Sequence, residues 1–207
     1  MTEAPPFQSS GGLGRLYVEA AGDPSLVPWA SEAASPVVSG HLARQQTGIG
    51  RAIVVGCSLG DDSEAVAAAG YDTLAFDVSP AAIAWCHRGF PDSAVSYRVA
   101  DLFALRAEWR HGFDLVVEVR TVQSLPPSVR PDVLDAVVSL VAPGGRLRLI
   151  ALARAQGVIP YGPPWAVSER ELQRLVDEGL DIEDLDSVSG GLWSDFVGVY
   201  RRQMVNG

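Results

Sequence analysis

Ala52-Ile53-Val54-Val55-Gly56-Cys57-Ser58-Leu59-Gly60-Asp61-Asp62 decides how the chain folds. Four apolar residues, rich in β-branching, run straight into a glycine turn, and an acidic, alanine-rich segment follows. Strand, glycine turn and helix in that order open a nucleotide-binding α/β domain. Gly56 and Gly60 are expected to let backbone approach a ligand where a Cβ would block it. Asp77 ends a second apolar run, Thr73-Leu74-Ala75-Phe76. An acid there can accept hydrogen bonds from both hydroxyls of a ribose.

The spacing of the turn selects the ligand. A pyrophosphate site reads G-x-G-x-x-G and presents helix amides to an anion. Here the spacing is G-x-x-x-G, and Asp61, Asp62 and Glu64 sit where the helix begins. Carboxylates at that place repel a pyrophosphate and favour a cation. S-adenosylmethionine carries a sulfonium and an ammonium, so it fits better than NAD, and an NAD-dependent oxidoreductase is the disfavoured rival.

A chain of 207 residues suggests one domain with one well-buried core. Its net charge of -9 gains nothing from phosphate counterion release, so nucleic acid is not an expected substrate. No apolar run reaches the roughly 18 residues of a membrane span, and Met1-Thr2-Glu3-Ala4-Pro5-Pro6 does not read as a signal peptide. Two cysteines without a spaced framework suggest a reducing compartment, hence a cytoplasmic protein. The scattered histidines and cysteines give no metal-ligand spacing.

Residues 1–14 are rich in Pro, Ser and Gly and are expected to be mobile. Residues 15–50 read as an N-terminal helical lid segment, with helices over 15–21 and 37–46. The core is expected over 51–207. Strands are expected at 52–55, 73–76, 95–99, 113–117 and 146–152, with a closing pair at 180–188 and 195–201. Helices are expected at 62–69, ended by Gly70, from Ser79-Pro80 to 88, at 129–141, and from the capping box Ser168-Glu169-Arg170-Glu171. Asp61 and Glu64 have capping-box spacing too, and Pro143-Gly144-Gly145 reads as a sharp turn. The alternation predicts an α/β fold. It is a Rossmann-like, seven-stranded, mostly parallel sheet with a C-terminal antiparallel hairpin and helices on both faces. Gly56, Asp77, Asp101 and Glu118 then fall at the carboxyl ends of strands, where ligands bind.

Five segments in this order resemble a known family. They are Val55 to Gly60, Ala75 to Ile83, Val99-Ala100-Asp101-Leu102, Phe113-Asp114-Leu115-Val116-Val117-Glu118 and Leu140 to Leu147. Together with the terminal hairpin they look like a class I S-adenosylmethionine-dependent methyltransferase, of the small-molecule branch similar to thiopurine methyltransferase-like proteins. The resemblance implies methyl transfer to a small-molecule acceptor at O, S or N by in-line displacement. It also implies roles. Gly56, Cys57, Ser58 and Gly60 would line the methionine part of the cofactor, Asp77 would hold the ribose and Val78 would pack on adenine. Asp101 would accept from the adenine amino group, with Leu102 beside the ring. Glu118 and Val119 would lie near the transferred methyl. The family usually has Gly where Ser58 stands and more Asp, Gly and Arg over residues 30–35, and these two departures keep open an alternative: a methyltransferase-like protein that binds cofactor without catalysis.

The residues leave several alternatives open. Asp77 reads as a ribose ligand or as a cap for the helix at Pro80. Asp101 reads as a ligand or as a plain turn residue. Glu118 reads as a site acid or as a buried partner of Arg120. Glu118, Arg120 and His41 are the candidates for assisting proton transfer, with His41 equally readable as an exposed helical residue. Trp29, Tyr161 and Trp165 are candidate acceptor-site aromatics or ordinary packing. Cys57 and Cys86 read as small apolar fillers.

Overall fold

Alternation along β1 (Arg51–Val55) explains why the sheet is covered on both faces. Ala52 and Val54 point one way and Ile53 and Val55 the other, and all four are buried. The computed structural model describes residues 15, 17–20, 23–27, 35–42, 50–189 and 194–204. Around β1 it forms one sheet in the order β3-β2-β1-β4-β5-β7-β6. The other strands are β2 (Asp72–Asp77), β3 (Ser96–Val99), β4 (Phe113–Val119), β5 (Val141–Leu152), β6 (Leu180–Ser189) and β7 (Ser194–Arg202). The first five run parallel, and β7 pairs antiparallel with both β5 and β6. The predicted sheet and terminal hairpin are therefore present.

Helix α1 (Pro36–Leu42) precedes β1, and α2 (Asp61–Ala68), α3 (Pro80–Gly89), α4 (Arg130–Leu140) and α5 (Glu169–Asp177) lie between strands. On one face Val38, Val66, Ile83 and Cys86 pack on Val54, Leu115 and Val117. On the other, Val133, Val137, Leu172 and Leu175 pack on Ile53, Val116 and Leu149. Local chemistry sets several boundaries. Ser79 accepts the Ala82 amide and Pro80 begins α3, while Ser168 and Glu171 form the capping box of α5. Gly70, with φ of 101°, ends α2.

Two local expectations fail. Gly60, in the left-handed region, caps α2 without any side-chain bond. Glu64 instead accepts the hydroxyls of Ser93 (2.5 Å) and Tyr97 (2.6 Å), so no capping box forms with Asp61. Pro143-Gly144-Gly145 does not break the chain. β5 runs through it, and the register against β4 shifts between Phe113 and Leu115, so the glycines make an irregularity inside one long strand. The acidic residues on β6 are exposed, and Glu183 is bound to Arg146.

Residues 1–14, Trp29 and the end of the helix expected at 37–46 lie outside the described residues. Among the described residues no helix is long and apolar enough to cross a membrane.

Candidate functional site

The chain leaves β1, builds outward through β2 and β3, then returns to place β4 on the other side of β1. That reversal opens a crevice at the carboxyl ends of β1 and β4, the place where open α/β sheets bind ligands. The glycine turn forms one wall and the turn after β4 forms the other.

Gly56 and Gly60 have φ of 63° and 102°, which glycine alone adopts without strain. A Cβ on Gly56 would collide with the Thr121 hydroxyl, and one on Gly60 would come 2.7 Å from the Tyr97 hydroxyl. These glycines let the turn pack against its own neighbours. Thr121 also donates its hydroxyl to the Val55 carbonyl at 3.0 Å, joining the ends of β1 and β4.

Ser58 has φ of 51°, a conformation that costs a serine on the order of 1 kcal/mol. The strain is held by three bonds. Its amide donates to Asp77 (3.2 Å), its carbonyl accepts the Cys86 thiol (3.3 Å), and its Oγ accepts the Tyr17 hydroxyl (2.9 Å). Hydrogen bonding to the Cys86 side chain, with burial, holds the Cys57 thiol far above its ordinary value, so Cys57 is a neutral packing group.

Asp77 takes the Ser79 amide on Oδ1 (2.9 Å) and the Ser58 amide on Oδ2. The cap of α3 is Ser79, not Asp77. Burial pushes the Asp77 carboxyl above its ordinary range, against the pull of the amides. Val78 beside it is half exposed. Asp101 accepts the Phe103 amide at 2.9 Å and caps a short 3-10 turn, and Leu102 is buried in the main core. Asp61 and Asp62 stand in the first turn of α2, and burial raises both carboxyls. Asp62 accepts the Ser35 amide at 2.7 Å, which ties the start of α1 to the crevice.

On the opposite wall Glu118 is completely buried. Its Oε1 accepts the amides of Thr121 (2.6 Å) and Val122 (2.9 Å). Burial pushes its pKa up to about 7. Arg120 does not pair with it. With φ of 61°, Arg120 turns outward and its guanidinium meets Asp195 at 2.5 Å. Val119 is partly buried against the core of the α1 face.

Beyond this wall lies the loop from Ala153 to Trp165. Arg154 holds its base through the carbonyls of Val158 and Ala166, and the buried Arg130 binds the Trp165 carbonyl. Both arginines converge on Glu171. Tyr161 is 99% exposed at the loop tip, whereas Trp165 is half-buried at its base. A recess of about 470 Å³ lies beside the loop, between Ala153–Gln156 and the start of β7. His41 falls in the backbone of α1, and its side chain lies outside the described part of the molecule.

The structure thus brings Gly56, Cys57, Ser58, Gly60 and Asp77 into one bonded cluster. Glu118 and Val119 stand across from it. Tyr17 and Thr121 join the cluster unforeseen, since each contacts a residue far away in the chain and no local pattern marks either.

These features suit a cation that carries a nucleoside. Asp77 offers a buried carboxylate whose oxygens have lone pairs beyond those used by the amides, Val78 offers an apolar surface for a base, and Asp61 and Asp62 offer negative charge. The comparisons with known proteins agree. The chain is 28% identical over 172 residues to a probable thiol methyltransferase 2 of Arabidopsis thaliana, covering 81% of this chain and 72% of that one. It is 26% identical over 157 residues to thiocyanate methyltransferase 1 of the same plant, covering 73% and 66%. The chain thus spans about two thirds to three quarters of these relatives' length. The fold matches the N-methyltransferase NodS of Bradyrhizobium japonicum, solved with S-adenosylhomocysteine, at a TM-score of 0.72 and 21% identity over 93% of this chain and 97% of that one. Residues 23–191 match the family described as thiopurine S-methyltransferase. The chain belongs to the thiopurine S-methyltransferase (TPMT) family, and it is an S-adenosylmethionine-dependent methyltransferase.

Proposed function

We propose that the protein methylates a small soft nucleophile, a thiol or thiolate-like anion, without a general base. The observation that carries this reading is the complete burial of Glu118: its Oε1 takes the amides of Thr121 and Val122, and its Oε2, which has no hydrogen-bond partner among the described residues, is sealed from any acceptor. Arg120 is a permanent cation bound to Asp195. Neither is suited to take a proton from an acceptor. A thiol ionises close enough to neutral pH to supply its own nucleophile, whereas an alcohol needs a base. The relatives named for thiol and thiocyanate methylation support the same class.

Asp77 would hold the ribose, Val78 the face of the adenine, and Asp101 with the Leu102 backbone the edge of the ring. The turn from Gly56 to Gly60 would take the amino-acid end, with Glu118 and Val119 bounding the space near the methyl. The cofactor supplies a methyl on an excellent leaving group. The chain's share is positioning, which can lower a barrier by roughly 7–11 kcal/mol. The acceptor would be covered by the N-terminal segment that includes Trp29 and by the loop of Tyr161 and Trp165. The acidic surface favours small molecules over nucleic acid, and we read the protein as cytoplasmic. The non-catalytic reading rests on Ser58 and on residues 30–35; Ser58 is a well-bonded member of the turn, and residues 30–34 lie outside the described residues.

A panel of thiols, phenols and amines offered with S-adenosylmethionine tests the proposal. Thiols should yield S-methyl products with one S-adenosylhomocysteine each. Turnover confined to phenols or amines would contradict it.

A further inference from the structure

Ser58 is held by three elements at once: β2 through Asp77, α3 through Cys86, and the helical residues around Tyr17. The third bond differs from the others because it acts on the side chain. Tyr17 is buried, and with Ala20 and Val27 it packs on Leu59 and Ala82, forming a small core of its own over the turn. Its hydroxyl lies 2.9 Å from Ser58 Oγ and donates to it. A serine hydroxyl that accepts one bond keeps its own proton to donate elsewhere. Accepting also polarises the O–H and strengthens it as a donor. Glycine, the ordinary occupant of a left-handed position, could provide neither group.

We infer that Tyr17 is a positioning residue for cofactor binding: its hydroxyl fixes the Ser58 side chain, whose O–H donates to the carboxylate of the bound cofactor. The inference rests on the proposed cofactor placement, with the amino-acid end at the turn. It adds a consequence. The helical residues 17–19 sense the occupancy of the turn through the Tyr17–Ser58 hydrogen bond, which couples their docking to cofactor binding.

Calorimetry on the full chain with two probes tests this. S-adenosylhomocysteine carries the carboxylate, and 5′-methylthioadenosine lacks the whole amino-acid part. Tyr17→Phe keeps the buried ring and removes only the hydroxyl. It should weaken S-adenosylhomocysteine about fivefold, and Ser58→Ala should weaken it about tenfold. The double variant should bind no more weakly than Ser58→Ala alone, because the two residues act as one unit. The affinity for 5′-methylthioadenosine should stay unchanged throughout. Equal weakening of both probes by Tyr17→Phe would reduce Tyr17 to packing and overturn the inference, as would an unchanged affinity for S-adenosylhomocysteine. If Ser58→Ala does not fold, Tyr17→Phe against the two probes carries the test alone. Failure of the unaltered chain to bind either probe overturns the cofactor reading and this inference with it. Intact binding with no effect of Tyr17→Phe overturns only the inference.

Discussion

Asp77 is the last residue of β2 and Glu118 the last but one of β4, the two strands that flank β1, and each turns a buried carboxylate onto two backbone amides. The partners differ. Asp77 joins two separate segments, the glycine turn at Ser58 and the start of α3 at Ser79. Among the described residues Glu118 bonds through Oε1 to its own turn, at Thr121 and Val122, and its Oε2 has no partner. Asp77 keeps 9% of its surface exposed and Glu118 keeps none. An acid at a strand end is therefore not a site residue by position alone. Both acids keep lone pairs beyond those the backbone uses, so what decides is whether a ligand can reach them.

The largest expected effect breaks the Asp77 side of this comparison. Asp77→Ala strips two amides and the ribose of a partner, and affinity for S-adenosylhomocysteine should fall by roughly 1–3 kcal/mol in calorimetry. An unchanged affinity would remove Asp77 from the site.

Glu118→Gln probes the other side. The amide keeps an oxygen for Thr121 and Val122, so kcat with a thiol acceptor should stay within about threefold, whereas loss of a general base costs roughly 10²–10⁴-fold. The same variant should change how stability follows pH. Burial raises the carboxyl to about 7, so the folded state favours the protonated form. Its contribution is fully present below the ordinary carboxylate range and is lost as pH rises through about 7, by on the order of 3 kcal/mol. Glutamine cannot ionise. Melting temperatures should therefore shift in favour of Glu118→Gln between about pH 5 and pH 8, and a pH-independent difference would contradict the burial argument.

A third variant tests how the walls are joined. Gly56→Ala forces a left-handed alanine against Thr121 and should cost roughly 1–3 kcal/mol in a denaturant melt. Adding Thr121→Ala should recover the part owed to the collision and leave the part owed to φ. The smallest effect is expected at the rim. Asp195→Ala breaks an ion pair whose Arg120 side is half exposed, and should cost less than about 1 kcal/mol.

The two sides also differ in how far they could be read from residues alone. The strand of Ala52 to Val55, the cap at Ser79-Pro80, the stop at Gly70 and the capping box at Ser168 are local signals, and the structure has all of them. Asp61 and Glu64 carried a local signal that lost to distance: Glu64 meets Tyr97, 33 residues on. Other long-range pairs are equally hidden. Arg120 meets Asp195 across 75 residues and Arg130 meets Glu171 across 41. Tyr17 reaches Ser58 across 41 as well. Periodicity and capping rules see only neighbours. They reveal the sheet and the glycine turn, and they are blind to which charge a loop side chain will find.

The central claim is that Glu118 supports the β4 turn and that the acceptor supplies its own nucleophile. The pH dependence of kcat/KM for two thiols of well-separated pKa tests it most directly. The account predicts a midpoint that moves with the thiol and is the same for the unaltered chain and Glu118→Gln. A midpoint fixed near 7 for both thiols, and lost in Glu118→Gln, would show Glu118 acting as the base and contradict the account.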